Sequence, residues 1–180
     1  MGERIEIRLA GTGGQGMILA GIILADAAVR DGKNVAQTQS YGPEARGGAS
    51  RAEVVISGQE IDHPKVLRPS VLLCMSQESC DRYAEQVREN GLLILDDGRV
   101  VRAPTTRAVR VPIIELAREA TGREITANVV ALGLLVGLTN VVSREALEAA
   151  VQARVPRGTV EINLKALAAG FEAAREIMQR

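Results

Sequence analysis

Hydrophobic positions fall into short continuous runs separated by longer periodic stretches. Ile5 to Ala10, Val35 to Thr38, Ala52 to Ile56, Val71 to Met75 and Leu92 to Leu95 are rich in branched apolar side chains, and short runs of this kind bounded by turn-forming residues predict strands. Between them Gly14 to Arg30 and Glu78 to Glu89 carry helical periodicity, with Gly32 and Gly91 where C-caps belong. A further run, Ala108 to Val111, extends the strand series, and Ile113 to Ala120 follows as a helix opened by Pro112. Beyond Gly122 the pattern predicts three helices: Val129 to Leu138, Arg144 to Ala153 with Ser143 as N-cap, and Val160 to Met178. The alternation implies an α/β fold, a three-layer Rossmann-like, mostly parallel sheet with helices on both faces and a helical C-terminal third.

The chain has 180 residues, 46% of them hydrophobic, enough for one sizeable core and scarcely for two. With no linker, repeat or low-complexity tract, a single domain over residues 1–180 is expected. Lys plus Arg and Asp plus Glu both number 22. The balance gives no electrostatic footprint for nucleic acid or an anionic membrane, so partners are expected to be proteins or small molecules. Met1-Gly2-Glu3-Arg4 leads straight into the first strand, and a cytoplasmic protein is expected. The apolar stretch Val129 to Leu138, broken by Gly133 and Gly137, is far shorter than the roughly 18 residues of a membrane span and reads as a buried core helix.

Against that background two segments carry chemistry. Gly11-Thr-Gly-Gly-Gln-Gly16 leaves a strand and opens a helix, a context in which backbone N–H groups approach a phosphate closely and the helix dipole favours it. The acidic residue that completes an NAD-binding fingerprint at the end of the second strand is missing: that position holds Gln37, Thr38, Gln39 and Ser40. An anion is expected there, and NAD is not.

The second segment, Ser40 to Ser50, reads Ser-Tyr-Gly-Pro-Glu-Ala-Arg-Gly-Gly-Ala-Ser. It is longer than the roughly two to six residues usual between elements of an α/β unit, and reads as functional. Its glycines and proline permit unusual backbone geometry, while Arg46 offers a permanently charged donor fork for phosphate or carboxylate, or for an ion pair with Glu44. Because it follows strand two as the glycine turn follows strand one, the two are expected to be neighbours at the carboxyl edge of the sheet. Their joint content, glycine amides, the hydroxyls of Thr12 and Ser40, the Gln15 amide and arginine, suits anion binding and supplies no general base.

Other reactive residues have plainer readings. Cys74 and Cys80 match no metal-ligand spacing and read as small buried hydrophobes. The single histidine, His63, lies beside Asp62 and Pro64 in an apparent exposed turn. Arg51 is expected to point outward from the start of strand three. Asn128 is expected to cap the following helix, and Asp96 and Asp97 to form a solvated turn.

The glycine turn, followed by Gln39 to Ser50, closely resembles the gamma subunit of 2-oxoacid:ferredoxin oxidoreductases, the 2-oxoglutarate branch most of all. Asn128-Val-Val-Ala-Leu-Gly-Leu-Leu resembles the family's third recurring segment. The resemblance implies one subunit of an enzyme that oxidatively decarboxylates a 2-oxoacid, transfers the acyl group to coenzyme A and reduces ferredoxin. It places thiamine diphosphate on alpha and beta subunits and iron–sulfur clusters on beta and often delta subunits. To the gamma subunit it gives assembly and part of the coenzyme A site. The candidate binding residues are then Gly11, Thr12, Gly13, Gly14, Gln15, Gly16, Ser40, Tyr41, Arg46, Gly47 and Gly48, with no catalytic residue and no metal ligand. A structural adaptor without ligand and a free-standing dinucleotide oxidoreductase are the alternatives. Small residues in the last third, Ala127, Ala131, Gly133, Gly137 and Ala166 to Ala174, suggest an interface, and the isolated chain is a candidate homodimer.

Overall fold

The computed structural model describes residues 3–41 and 49–180. Six strands, β1 (Ile5–Thr12), β2 (Asn34–Tyr41), β3 (Ala49–Ser57), β4 (Val71–Cys74), β5 (Leu92–Asp96) and β6 (Val109–Val111), pair in the order β2-β3-β1-β4-β5-β6. The helices are α1 (Met17–Arg30), α2 (Gln77–Tyr83), α3 (Ile113–Thr121), α4 (Ala127–Thr139), α5 (Arg144–Arg154) and α6 (Val160–Met178).

The pairing of β1, β4, β5 and β6 is parallel throughout, as expected from the intervening crossovers. β3 alone runs the other way, antiparallel to both β1 and β2. The reason lies in the connection, for a parallel neighbour needs a crossover of about a dozen residues or more, and only residues 42–48 separate β2 from β3. The eleven-residue connection expected at Ser40 to Ser50 begins and ends in strand, with Ser40 paired to Arg51 and Tyr41 to Ser50.

The two faces of the sheet are covered unequally. Ile7, Leu9, Val54, Ile56, Val71, Leu73 and Ile94 point to one side, into a large apolar core closed by α1, α3, α4, α5 and α6. The opposite face packs Ala10, Leu72, Cys74, Leu93 and Leu95 against α2, through Cys80 and Tyr83, and against Ala84 just beyond it. Alternation along each strand produces this division, since successive side chains point to opposite faces.

Within the larger core, α4 is buried along nearly its whole length and lies against α6. A Cβ on Gly133 would strike the Leu167 carbonyl, and one on Gly170 would strike the Val130 carbonyl. Gly133, Gly137 and Gly170 of the last third therefore let two helices of this chain pack closely. No helix among the described residues is long and apolar enough to cross a membrane.

Candidate functional site

The glycine turn occupies the carboxyl edge of the parallel strands, where open α/β sheets bind ligands. Its backbone has two left-handed residues, Gly14 at φ 86° and Gly16 at φ 75°, a region L side chains enter only at a cost. Gly16 is the N-cap of α1, and no side chain caps that helix. The first turn of α1 carries no acidic residue. Among the described residues, the N–H groups of Gly13, Gly14 and Gly16 have no acceptor. Unpaired amides together with an uncompensated helix dipole make an electropositive cradle without any cation.

What holds the cradle open is Gln15. Its Oε1 accepts from the Thr12 N–H at 2.7 Å, and its Nε2 donates to the Met75 carbonyl at 2.9 Å. The side chain is thus occupied by the turn and by the end of β4, so it braces the cradle where a ligand-facing amide was expected. Gly11 is explained by the same contact, because a Cβ there would collide with Gln15 Oε1.

A second clamp comes from α4. Asn128 is buried, donates through Nδ2 to the Gly16 carbonyl at 3.2 Å and accepts through Oδ1 from the Val129 N–H at 2.9 Å. It lies inside α4, whose N-cap is Thr126, and ties the glycine turn to that helix where a capping role was expected. A Cβ on Gly16 would come within 2.5 Å of Asn128 Nδ2.

Together these elements border a cavity of about 690 Å³, lined in part by Gly13, Gly14 and Gly16. This falls within the range of about 300–1,000 Å³ typical of cofactor sites. Met17, Leu19 and Ile22 of α1 and Ile162 of α6 form an apolar wall, while Ser50, Arg123, Thr126, Asn128, Thr159 and Asn163 supply polar groups. A smaller cavity of about 290 Å³ adjoins Gly14, Gln15 and Met75, and Ile125 lines both. Ile125 is 75% exposed, a large apolar residue standing in solvent beside both cavities.

The expected neighbourhood of the two motifs is realised through β3. Gly11 pairs with Ser50 and Thr12 with Ala49, which brings Ser50 into the cavity lining. Ser40 and the Tyr41 backbone belong to β2, separated from β1 by a whole strand. Arg46, Gly47 and Gly48 lie outside the described residues. Arg51 points away from the cavity, 3.5 Å from Glu53 and over the Tyr83 ring at 5.5 Å.

Arg123 was not anticipated from the sequence. It precedes the recurring Asn128 segment by five positions and lines the cavity, and its guanidinium has no ion-pair partner among the described residues. The available signal was the unbroken run Gly122-Arg-Glu-Ile-Thr-Ala-Asn128, which leads directly into the recurring segment.

Asp96 also differs from expectation. It is buried, its Oδ1 accepts from the Gly98 and Arg99 N–H groups at 2.8 and 3.1 Å, and its Oδ2 accepts from the Ile114 N–H at 3.0 Å. It fixes the start of α3 to the end of β5, and only Asp97 is solvated. His63 is exposed, as expected, and its carbonyl accepts from Arg4.

Comparison with known proteins agrees with this arrangement. The family model described as pyruvate ferredoxin/flavodoxin oxidoreductase matches residues 6–173. A protein named 2-oxoglutarate synthase subunit KorC, from Methanocaldococcus jannaschii, is 48% identical over 97% of this chain and 96% of its own length. The crystal structure of a keto/oxoacid ferredoxin oxidoreductase gamma subunit from Geobacter sulfurreducens superimposes with a TM-score of 0.88 at 48% identity, covering 97% of this chain and 98% of that one. A 2-oxoglutarate:ferredoxin oxidoreductase from Magnetococcus marinus, solved with 2-oxoglutarate, coenzyme A and succinyl-CoA bound, shares the fold at 23% identity and a TM-score of 0.87. That alignment spans 97% of this chain and 31% of the other. The chain belongs to the pyruvate ferredoxin/flavodoxin oxidoreductase family, as one of its gamma-type subunits.

Proposed function

We propose that this chain is the gamma subunit of a 2-oxoglutarate:ferredoxin oxidoreductase and that it holds phosphate groups of coenzyme A at the glycine turn. The observation that carries the second part is the cradle itself: three glycine amides without acceptors among the described residues, at an uncapped helix start that opens into a cavity of about 690 Å³. Coenzyme A carries a pyrophosphate and a 3′-phosphate beside an apolar pantetheine arm, and this cavity joins a polar, amide-rich end to an aliphatic wall. Coenzyme A supplies the thiol that takes the acyl group. Gly13, Gly14, Gly16 and Arg123 would bind phosphate, with Arg46 as a second guanidinium, while Gln15 and Asn128 keep the turn in shape.

The oxidative chemistry belongs to partners in this reading. Alpha and beta subunits, with or without a delta subunit, carry thiamine diphosphate and the iron–sulfur clusters, and ferredoxin is reached through them. The sequence holds two cysteines, Cys74 and Cys80, at a spacing that matches no cluster-ligand pattern. A dinucleotide oxidoreductase is disfavoured by topology. The position that would offer a ribose carboxylate lies on β2, one strand removed from β1, and carries Gln37, Thr38, Gln39 and Ser40.

The test is purification of this chain from its native cells under anoxia, followed by assay of coenzyme A-dependent ferredoxin reduction with several 2-oxoacids. Co-purifying alpha and beta subunits and fastest turnover of 2-oxoglutarate are expected. A chain recovered alone, with nicotinamide-dependent redox activity, overturns the reading.

A further inference from the structure

The two edges of the sheet are finished differently. β6 has three residues and carries Arg110, whose guanidinium reaches Asp97 at 3.3 Å. A short edge strand bearing charge is the usual guard against pairing with another chain. β2 has no such guard. Its eight residues, Asn34 to Tyr41, include no charged side chain and no proline. They pair with β3 in an unbroken register, from Asn34 opposite Ser57 to Tyr41 opposite Ser50, so no bulge turns the edge away. Lys33, just before the strand, is engaged elsewhere, its Nζ donating to the Val141 carbonyl at 2.5 Å. No strand among the described residues lies beyond β2, and Asn34, Thr38 and Gln39 are exposed.

Directly opposite residues of antiparallel strands share a face, so the pairing with β3 sorts the side chains of β2. Gln37 and Gln39 lie on the face of Val54 and Ala52, and Gln37 Nε2 donates to Gln39 Oε1 at 3.3 Å. Ala36, Thr38 and Ser40 take the other face, with Val55, Glu53 and Arg51.

We propose that β2 pairs with β2 of a second copy of this chain, antiparallel about a two-fold axis at Thr38, so that the two sheets continue into one. A two-fold axis perpendicular to the sheet sets one residue opposite its own copy and fixes the partners of all the others. With Thr38 at the axis, Gln37 of each copy meets Gln39 of the other and Ala36 meets Ser40, which brings four carboxamides together on one face and small uncharged residues on the other. An axis at Gln37 would instead set Val35 against Gln39 and Lys33 against Tyr41.

The occupant is a second copy because the strand is nearly palindromic in residue type. Read outwards from Thr38 in either direction, it presents a glutamine, a small residue and then a strong strand former, Val35 on one side and Tyr41 on the other. An edge without charge also offers a charged partner strand nothing to pair with.

The experiment measures the mass of the full chain in solution by light scattering and sedimentation velocity. A value near twice 19.1 kDa is expected. Thr38→Lys sets two like charges directly opposite each other and should lower the mass to that of one chain, with the circular dichroism spectrum unchanged because Thr38 is exposed. Thr38→Cys reads the register: directly opposite residues have Cα atoms about 4.5–5.5 Å apart, within reach of a disulfide, so mild oxidation should give a covalent dimer. Gln37→Cys, about 7–8 Å from its own copy across the diagonal, should not cross-link. Cys74 and Cys80 are buried and supply the background in both variants.

A wild-type chain of single-chain mass throughout the micromolar range overturns the proposal. So does a dimer that survives Thr38→Lys, or one that cross-links equally through Gln37→Cys. A monomeric wild-type chain whose Thr38→Lys variant no longer co-purifies with other subunits gives the edge to one of those subunits and excludes the second copy.

Discussion

The side chain of Gln15 spans the gap between the Thr12 N–H and the Met75 carbonyl, joining the first turn of the site to the neighbouring strand. The turn would otherwise have its backbone amides free on both sides. With Gln15 in place, the Thr12 amide is satisfied inside the protein, while those of Gly13, Gly14 and Gly16 have no acceptor among the described residues.

Replacing Gln15 by Ala removes both bonds and leaves the Thr12 donor and the Met75 acceptor unpaired. At about 1 kcal/mol for each net hydrogen bond, a loss of about 2 kcal/mol in stability is expected. Urea denaturation of Gln15→Ala measures it, and a wild-type midpoint would show the brace to be idle.

Gly16 and Asn128 should be coupled energetically. Gly16→Ala places a Cβ on a left-handed residue, at a cost of about 1–2 kcal/mol, and drives it against the Asn128 amide. Asn128→Ala removes the obstacle but also the bond to the Gly16 carbonyl. The double variant is expected to lose less stability than the sum of the singles, by an interaction of about 0.5 kcal/mol or more. Strict additivity across the four proteins would contradict the contact.

The buried pair on the opposite face offers a test independent of the ligand. Arg8 Nε donates to Glu53 at 2.9 Å, its other nitrogens reach Gln86 and the Val66 carbonyl, and its guanidinium lies 4.9 Å from the centre of the Tyr83 ring. Glu53→Leu strands a buried cation and should cost about 3–5 kcal/mol, whereas Arg8→Met with Glu53→Leu should recover most of the loss. Thermal unfolding of the wild type and the two variants decides this, and equal melting of the single and double variants would contradict it.

Asp96→Asn keeps the size of the side chain but turns an amino group towards backbone donors that now meet carboxylate oxygens. Loss of one such bond with an unsatisfied group left behind is expected to cost about 2 kcal/mol, read from denaturant midpoints. Hydrogen exchange should localise the loosening to the start of α3. An unchanged midpoint would place Asp96 outside the packing that holds α3.

Most of the fold was legible because its strands are short branched runs and its helices carry caps or breakers: α6 has the predicted boundaries, and Ser143 caps α5 as expected. The reversal of β3 was missed because hydrophobic pattern carries no direction. Only the shortness of the β2–β3 connection encodes it. In the site, the glycines were readable from their spacing, since a strand-to-helix turn with left-handed residues admits little else. Gln15 was misassigned because its partner, Met75, is 60 residues away, a contact no local pattern announces. Arg123 was missed for a similar reason, as α4 and its preceding turn reach the cavity only through packing against α1 and α6.

The central claim, that this chain holds coenzyme A through its phosphates, is tested most directly by the kinetics of the assembled enzyme carrying Arg123→Ala. Loss of one charge-assisted contact, about 1.5 kcal/mol, should raise the KM for coenzyme A about tenfold while leaving the KM for 2-oxoglutarate unchanged. An unchanged KM for coenzyme A, in a complex that assembles normally, would contradict it.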